Sequence, residues 1–280
     1  MSNLLLTSFN QRFQQTLRAR QSLLCIGIDP DLQKLPAGLP RSTEGVIIFC
    51  NEIIAATSEF ATAFKINFAF FEVLGKSGWQ ALHTVAATLP ADAIKIADAK
   101  RGDIGNTARL YAEAVFRALP FDAVTVNPYL GEDAAQPFLE DAGKGAFFLC
   151  RTSNAGSGEI QNFPDRTRPL YLHVAAQVRE WNKNGNAGLV VGATHPRELQ
   201  QARKASPGLP FLIPGVGVQG GNLEAAVCFG ATATGDLAII NASRSIIFAD
   251  AGNNFAEAAA REAKKMRDEM RNFLLPGWKA

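Results

Sequence analysis

The stretch that decides the fold reads Ala93-Ile94-Lys95-Ile96-Ala97-Asp98-Ala99-Lys100-Arg101-Gly102-Asp103-Ile104-Gly105-Asn106-Thr107. Side chains in a β-strand alternate between two faces, so a strand over residues 93–100 places Asp98 and Lys100 at the end of an apolar row. Two charges in that position indicate a functional site, although a simple ion pair at a strand terminus also accounts for them. The positions of polar residues elsewhere in the chain distinguish these two interpretations.

A second carboxylate follows just past the predicted strand end. Asp103 lies between Gly102 and Gly105, and such a loop can turn it toward the Lys100 ammonium or toward a neighbouring subunit. A lysine between two carboxylates stays protonated, because each carboxylate favours its charged form. The pattern therefore predicts Lys100 to be a proton donor rather than a nucleophilic amine.

A buried strand followed by a helical segment recurs along the whole chain. The predicted strands are residues 23–30, 62–67, 93–100, 123–128, 146–151, 188–192, 211–214 and 237–241. Helices are predicted between them, at about residues 44–60, 70–89, 107–119, 132–141, 169–182, 196–205 and 222–229, with a last one at 255–275. An extra amphipathic helix over residues 8–21 precedes the first strand and is expected to cover one end. This alternation predicts an α/β fold, a single (β/α)₈ TIM barrel.

Composition limits the classes of protein. A chain of 280 residues that is 47% hydrophobic can form one large barrel or two ordinary domains. No linker divides it, so one catalytic domain over residues 1–280 is expected. The net charge of +2 indicates neither nucleic acid nor an anionic membrane surface as a partner. Four dispersed cysteines, with no signal peptide and no membrane span, predict a cytoplasmic protein with reduced thiols.

In a barrel of this type the active site lies at the carboxyl ends of the strands. The polar side chains predicted there are those of Asp29, Lys65, Asp98, Lys100, Asn127, Ser153, Gln219 and Arg244. They converge on one end although none was selected for its chemistry. This convergence favours the functional interpretation of Asp98 and Lys100.

Two loops have the features of a phosphate site. Residues 214–221 are glycine-rich and open a helix, and residues 241–244 follow the last strand and end in Arg244. Backbone amides and a forked guanidinium bind phosphate in these loops of many barrels. Residues 215–220 also match G-x-G-x-x-G, but a dinucleotide-binding fold carries this motif in its first βαβ unit, so that alternative is weak.

The sequence does not favour a metal site. The histidines His83, His173 and His195 share no metal-ligand spacing. The aspartates near the strand ends could hold a hard cation in principle, but Lys65 and Lys100 lie among them and supply the countercharge. A site without metal is therefore expected.

Four motifs together resemble one known family. Residues 98–107 are similar to the D-x-K-x-x-D signature of orotidine 5′-phosphate decarboxylases with its trailing N-T, and residues 151–154, 214–219 and 241–244 are similar to the family's other loops. The resemblance is to the longer bacterial form (type 2) and spans nearly the whole chain. It implies a homodimeric barrel that converts orotidine 5′-phosphate to UMP, the last step of de novo pyrimidine nucleotide synthesis, with no metal or organic cofactor.

The resemblance also implies roles for the catalytic residues. Lys100 is expected to protonate the pyrimidine carbon that loses CO₂, within a charged network that Asp98 and Lys65 complete. Asp103 and Thr107 are expected to reach into the neighbouring subunit's site, so that each site needs the dimer.

The remaining roles concern substrate binding. Asp29 and Lys65 are expected to contact ribose hydroxyls. Ser153 is expected to contact the amide edge of the pyrimidine, and Gln219 with Arg244 the phosphate.

Three other functions stay open on the sequence. A Schiff-base aldolase would use Lys65 or Lys100 as nucleophile, and it requires a lysine with a depressed pKa. A related barrel could decarboxylate a sugar-acid phosphate with Mg²⁺. A catalytically silent nucleotide-phosphate sensor would use only the two phosphate loops.

Overall fold

Eight parallel strands form a closed barrel in the computed structural model, which describes residues 7–165, 167–217 and 220–274. In chain order, β1 to β8 are Leu24–Ile28, Ala63–Asn67, Ile94–Arg101, Ala123–Val126, Gly145–Arg151, Ala187–Val191, Phe211–Pro214 and Ala238–Ala242. Each strand pairs with its sequence neighbours, and β1 pairs with β8 to close the barrel. The predicted fold is confirmed, while the one-domain organisation of residues 1–280 stays a prediction.

Helices surround the barrel. In chain order, α1 to α12 are Phe9–Arg20, Thr43–Thr57, Ala69–Glu72, Gly75–Ala87, Gly105–Glu113, Glu132–Ala135, Ser157–Gln161, Leu170–Trp181, Pro196–Ala205, Leu223–Gly230, Arg244–Ile247 and Phe255–Phe273. Short 3₁₀ turns cover Leu32–Lys34, Pro128–Leu130 and Gln136–Phe138, and a π turn covers Ala114–Ala118. None of these described helices has the length and apolar character that a membrane span requires.

The predicted N-terminal helix is confirmed as α1. Ser8 caps it with a reciprocal capping box to Gln11, which satisfies amide groups that the first helical turn leaves without partners. Phe9 and Phe13 are buried, and both rings contact the Phe147 ring of β5. Phe9 also lies against Gly145 at the start of β5, so α1 covers the amino end of the barrel.

Three predicted helices differ from the observed ones. The segment predicted at residues 132–141 forms only the four-residue α6 and the 3₁₀ turn that follows it. The segment predicted at residues 70–89 is divided into α3 and α4, because Gly75 has a left-handed φ of 63°. The segment predicted at residues 107–119 begins earlier, at Gly105, and ends in the π turn. The short helices α7 and α11 had no sequence signal. The predicted end of the last helix, at Leu275, lies outside the described residues.

Candidate active site

A cleft of about 290 Å³ opens at the carboxyl ends of the strands. Six of the side chains predicted from the sequence line it: Asp29, Lys65, Asp98, Lys100, Ser153 and Arg244. They come from five different strands or the loops that follow them. The barrel therefore brings together residues that are far apart in the chain, as the strand-end argument predicted.

The centre of the cleft is a chain of alternating charges. Asp98 accepts a hydrogen bond from Lys65 Nζ at 2.7 Å on Oδ2 and from Lys100 Nζ at 2.6 Å on Oδ1. Asp29 Oδ1 lies 3.7 Å from Lys65 Nζ and has no hydrogen-bond partner in the described chain, although it is buried. Asp98 thus holds two ammonium groups at once, and Asp29 keeps acceptor capacity for a ligand.

Exposure differs sharply between the two lysines. The Lys65 side chain is 5% exposed and the Lys100 side chain is 53% exposed. Lys65 is therefore a fixed charge beneath the cleft. Lys100 presents its ammonium group to whatever occupies the cleft.

The network fixes the charge states of its buried members. Burial disfavours the ammonium form of Lys65, but Asp98 and Asp29 outweigh it and raise the Lys65 pKa above its usual range. Burial also disfavours the Asp98 carboxylate, but Lys65 and Lys100 outweigh this effect and hold the Asp98 pKa well below its usual value. Both groups are charged at neutral pH. A Schiff-base role for Lys65 is disfavoured, because that chemistry needs a depressed lysine pKa.

The rim of the cleft carries the predicted anion site. Gly215 and Gly217 have φ angles of 103° and 75°, which lets the backbone after β7 turn tightly beside the cleft. Arg244 lies across from them at the start of α11, and its guanidinium forms no hydrogen bond or ion pair with the residues that the structure describes. A free cation beside a glycine turn is suited to a phosphate. Gln219, the other predicted phosphate contact, lies outside the described residues.

Family comparison agrees with this geometry. Residues 22–262 match the family described as orotidine 5′-phosphate decarboxylase / HUMPS, which covers all eight strands and the whole cleft. The chain belongs to this family.

Known members are similar to the chain over almost its full length. Orotidine 5′-phosphate decarboxylase from Thermomicrobium roseum is 48% identical over 264 residues, 93% of this chain and 94% of that protein. The enzyme of the same name from Roseiflexus sp. is 48% identical over 270 residues, 96% of this chain and 99% of that protein. The solved structure of Leishmania donovani OMP decarboxylase matches with a TM-score of 0.83 at 39% identity, over 95% of this chain and 99% of that one.

Hydrogen bonds to two helices hold the loop that carries Ser153, the residue that the family resemblance assigns to the pyrimidine. Arg151 is buried and donates from Nε to Glu198 of α9 at 2.6 Å, and from Nη1 to the Ser157 hydroxyl. Gln161 of α7 accepts from the Thr152 amide at 2.9 Å and donates to its hydroxyl at 2.8 Å. These contacts hold the loop on both sides of Ser153, and sequence reasoning had missed them.

Three residues predicted at or near the site do not line the cleft. Asp103 is half-buried and accepts a hydrogen bond from the Ile104 amide at 2.8 Å, and Thr107 is exposed on α5. The prediction that Asn127 converges with the others is wrong, because its side chain caps the following 3₁₀ turn by accepting from the Tyr129 amide at 3.0 Å. Within one chain, therefore, the second carboxylate of the family signature stays outside the cleft.

Other candidate chemistry is limited in the described part of the chain. No group of three or more His, Cys, Asp or Glu side chains there is arranged to hold a metal ion. Cys25, Cys50 and Cys150 are free and buried, and Cys228 is free and exposed. Burial raises the Cys25 pKa to about 12, so this thiol beneath Lys65 is not a nucleophile at neutral pH.

Proposed function

We propose that the protein decarboxylates orotidine 5′-phosphate to UMP without metal or organic cofactor. The observation that carries this proposal is the Lys65–Asp98–Lys100 network, which faces a cleft that has a free arginine at its rim. Family membership and relatives named for this activity support the same reaction. We also propose a cytoplasmic location, consistent with the near-neutral charge and the free cysteines.

The chemistry centres on Lys100. When the bond between the pyrimidine ring and its carboxylate breaks, CO₂ leaves and the electron pair stays on the ring carbon. A fixed ammonium group beside that carbon stabilises the developing negative charge and then donates its proton to it. Asp98 directs the Lys100 ammonium through their hydrogen bond, and buried Lys65 offsets the negative charge of Asp98.

Other residues of the cleft would bind the rest of the substrate. Arg244 and the glycine turn after β7 would hold the phosphate, together with Gln219. Ser153 would contact the amide edge of the pyrimidine, and Asp29 with Lys65 would contact the ribose hydroxyls. Binding energy from these contacts can be used to bring the substrate carboxylate close to Asp98.

One assay tests the reaction directly. The absorbance of orotidine 5′-phosphate should fall when it is mixed with purified, EDTA-treated protein, and Arg244→Ala should raise KM far more than it changes kcat. Activity that EDTA abolishes would support the Mg²⁺-dependent alternative within the same barrel class. UMP binding without turnover would support the sensor instead, and borohydride trapping of a carbonyl substrate would support the aldolase.

We further propose that two subunits share each active site. Exposed apolar side chains are concentrated after the neighbouring strands β2, β3 and β4, where Val73 is 80%, Ile104 61%, Leu110 51% and Tyr129 83% exposed. Apolar side chains grouped in this way are typical of an interface. Asp103 and Thr107 lie in the same sector and outside their own cleft, so pairing of this surface would offer them to the partner's cleft.

Subunit complementation tests the shared site. Lys100→Ala and Asp103→Ala should each be nearly inactive alone. After unfolding and refolding together, mixed dimers would contain one intact site, and about a quarter of the wild-type activity should return for random pairing of a two-fold dimer. No recovery from a mixture shown to be dimeric would argue that each subunit uses its own Asp103.

A further inference from the structure

The backbone at Lys100 is unusual for a strand residue. Lys100 has a left-handed φ of 45°, and the register between β3 and β4 shifts between Ala97 and Arg101. A non-glycine residue in this region is strained and persists only where its surroundings hold it. The bulge also removes the Lys100 amide from the regular ladder, so this amide needs another acceptor.

Thr125 of β4 supplies that acceptor. Its hydroxyl oxygen accepts from the Lys100 amide at 2.9 Å, and its proton is donated to Asp98 Oδ1 at 3.1 Å. The same Asp98 oxygen accepts from Lys100 Nζ at 2.6 Å. A hydroxyl has one proton, and here it goes to the carboxylate while a lone pair receives the amide, so both polar functions of Thr125 are used.

The Thr125 side chain therefore positions both the backbone of Lys100 and, through Asp98, its ammonium group. Thr125 is 2% exposed and lies on the adjacent strand, which gives it a fixed position relative to the bulge. Through its lone pair it holds the Lys100 backbone, and through its proton it orients the Asp98 oxygen that directs the Lys100 ammonium. Without the hydroxyl, the bulge would lose its amide acceptor and Asp98 Oδ1 would lose one of its two donors.

We propose that Thr125 is a positioning residue that sets where the Lys100 ammonium sits in the cleft. This inference rests on the proposed decarboxylation, since it concerns the proton donor of that reaction. Thr125 also lines the cleft, but its hydroxyl already accepts from the Lys100 amide and donates to Asp98, so we infer that it acts through these two residues. Its loss should therefore lower the rate of the chemical step and leave substrate binding nearly intact.

Thr125→Val is the central variant, because valine keeps the branched shape and removes the hydroxyl. We expect kcat to fall roughly 10- to 100-fold, the effect of losing a hydrogen bond to a charged group, with KM and UMP binding little changed. Thr125→Ser keeps the hydroxyl and should stay within a few-fold of wild-type kcat. Thr62→Val is the matched control, since Thr62 is also buried on the barrel wall but donates to the Ser22 carbonyl at the amino end. Its kcat should not change.

A second measurement needs no turnover. The acetylation rate of Lys100 can be followed by mass spectrometry of its peptide. It should rise several-fold in Thr125→Val, because an Asp98 carboxylate that Thr125 no longer orients holds the Lys100 amine less tightly. It should stay unchanged in Thr125→Ser and Thr62→Val. If Thr125→Val does not fold, Thr125→Ala replaces it in both measurements with the same expectations.

The outcomes separate the two proposals. Normal kcat and normal acetylation in Thr125→Val, with an active wild type, overturn the positioning role. A Thr125→Ser variant as slow as Thr125→Val also overturns it, because the hydroxyl would then not be the cause. A wild type without turnover overturns the proposed function, and the acetylation rates then decide whether Thr125 positions Lys100.

Discussion

The two ends of the barrel use their cationic side chains in different ways. At the carboxyl end, Lys65 and Lys100 share the carboxylate of Asp98. At the amino end, Arg203 donates to main-chain carbonyls, among them those of Gly230 at 2.6 Å and Leu209 at 2.7 Å. Its guanidinium carbon also lies 3.6 Å from the centre of the Phe211 ring.

Arg203 at the amino end stabilises the fold, whereas Lys100 at the carboxyl end is available to a ligand. The donors of Arg203 point at fixed backbone atoms, so its charge is fully engaged and unavailable to a ligand. At the carboxyl end, the Lys100 ammonium is half-exposed and the buried hydroxyl of Ser243 has no hydrogen-bond partner in the described chain. Lys100 and Ser243 line the cleft, where a substrate can bind to them, whereas Arg203 stabilises the fold.

Removing Lys100 should produce the largest effect on turnover. We expect Lys100→Ala to lower kcat by about 1000-fold or more, because both charge stabilisation and proton donation are lost. Thermal stability should stay close to that of the wild type, since the side chain is 53% exposed. Steady-state kinetics and a melting curve measure both. A variant with near-normal turnover would contradict the role of Lys100 and with it the division between the two ends.

Arg203 should show the opposite behaviour. Arg203→Met leaves several buried carbonyls without a donor, so the free energy of unfolding should drop by about 3 kcal/mol, while kcat per folded molecule stays unchanged. Arg179→Met is the control at the same end, because Arg179 also donates to a main-chain carbonyl, that of Ala205 at 3.2 Å, but its side chain is 52% exposed. It should cost less than about 1 kcal/mol. Urea unfolding measures the free energy of unfolding of both variants. A similarly small loss in the two would contradict the structural role of Arg203.

The sequence predicted the fold well because its signals are local. Each strand is a short apolar run, and the predicted boundaries lie within one residue of the observed ones, except that β1 and β4 end two residues earlier than predicted, before Asp29 and Asn127. Polar residues at the strand ends then converge by topology alone, which is why Asp98 and Lys100 were recognised.

What the sequence did not reveal depends on contacts between distant segments. No sequence pattern predicts the left-handed φ of Lys100, a non-glycine residue, and its hydroxyl partner Thr125 has the pattern of an ordinary strand residue. Asp103 does not line the cleft of its own chain, so the role proposed for it depends on a contact with a second subunit. The ion pair from Arg151 to Glu198 behind Ser153 joins β5 to α9, which the barrel fold brings together.

A glycine beside Ser153 allows a finer test of the carboxyl end. A Cβ atom on Gly192 would lie 2.2 Å from Ser153 Oγ and 3.0 Å from Ser153 N. Gly192→Ala should therefore displace Ser153 and raise KM by roughly 10-fold, about the effect of losing one hydrogen bond to the substrate. Gly208→Ala is the control, because a Cβ atom there meets nothing within 4 Å.

A double variant identifies the cause. If Gly192→Ala acts through Ser153, its effect on KM should largely disappear in a Ser153→Ala background, since residues that act through one another are not additive. Full additivity would mean that the new methyl group disturbs the cleft by another route.

The smallest expected effect is on the pH dependence of stability, and it compares a carboxylate from each end. Burial opposes ionisation of Asp98 and of Asp236, but Lys65 and Lys100 lower the pKa of the first, and hydrogen bonds from Thr232 and Arg18 lower that of the second. A carboxyl whose folded pKa is depressed stabilises the protein fully above its unfolded value of about 3.9, and this contribution is lost as the pH falls through the folded value.

The wild type should therefore lose stability in acid below about pH 4, and Asp98→Asn and Asp236→Asn should each flatten that dependence in urea unfolding. Lys65, whose pKa is raised, adds stability below about pH 10.4 that is lost only as the pH rises through its folded value. Turnover at neutral pH distinguishes the two variants. Asp236→Asn should keep its turnover, and Asp98→Asn should lose it. If Asp236→Asn also lost turnover in its folded fraction, charges at the amino end would take part in the chemistry, and the contrast between the two ends would fail.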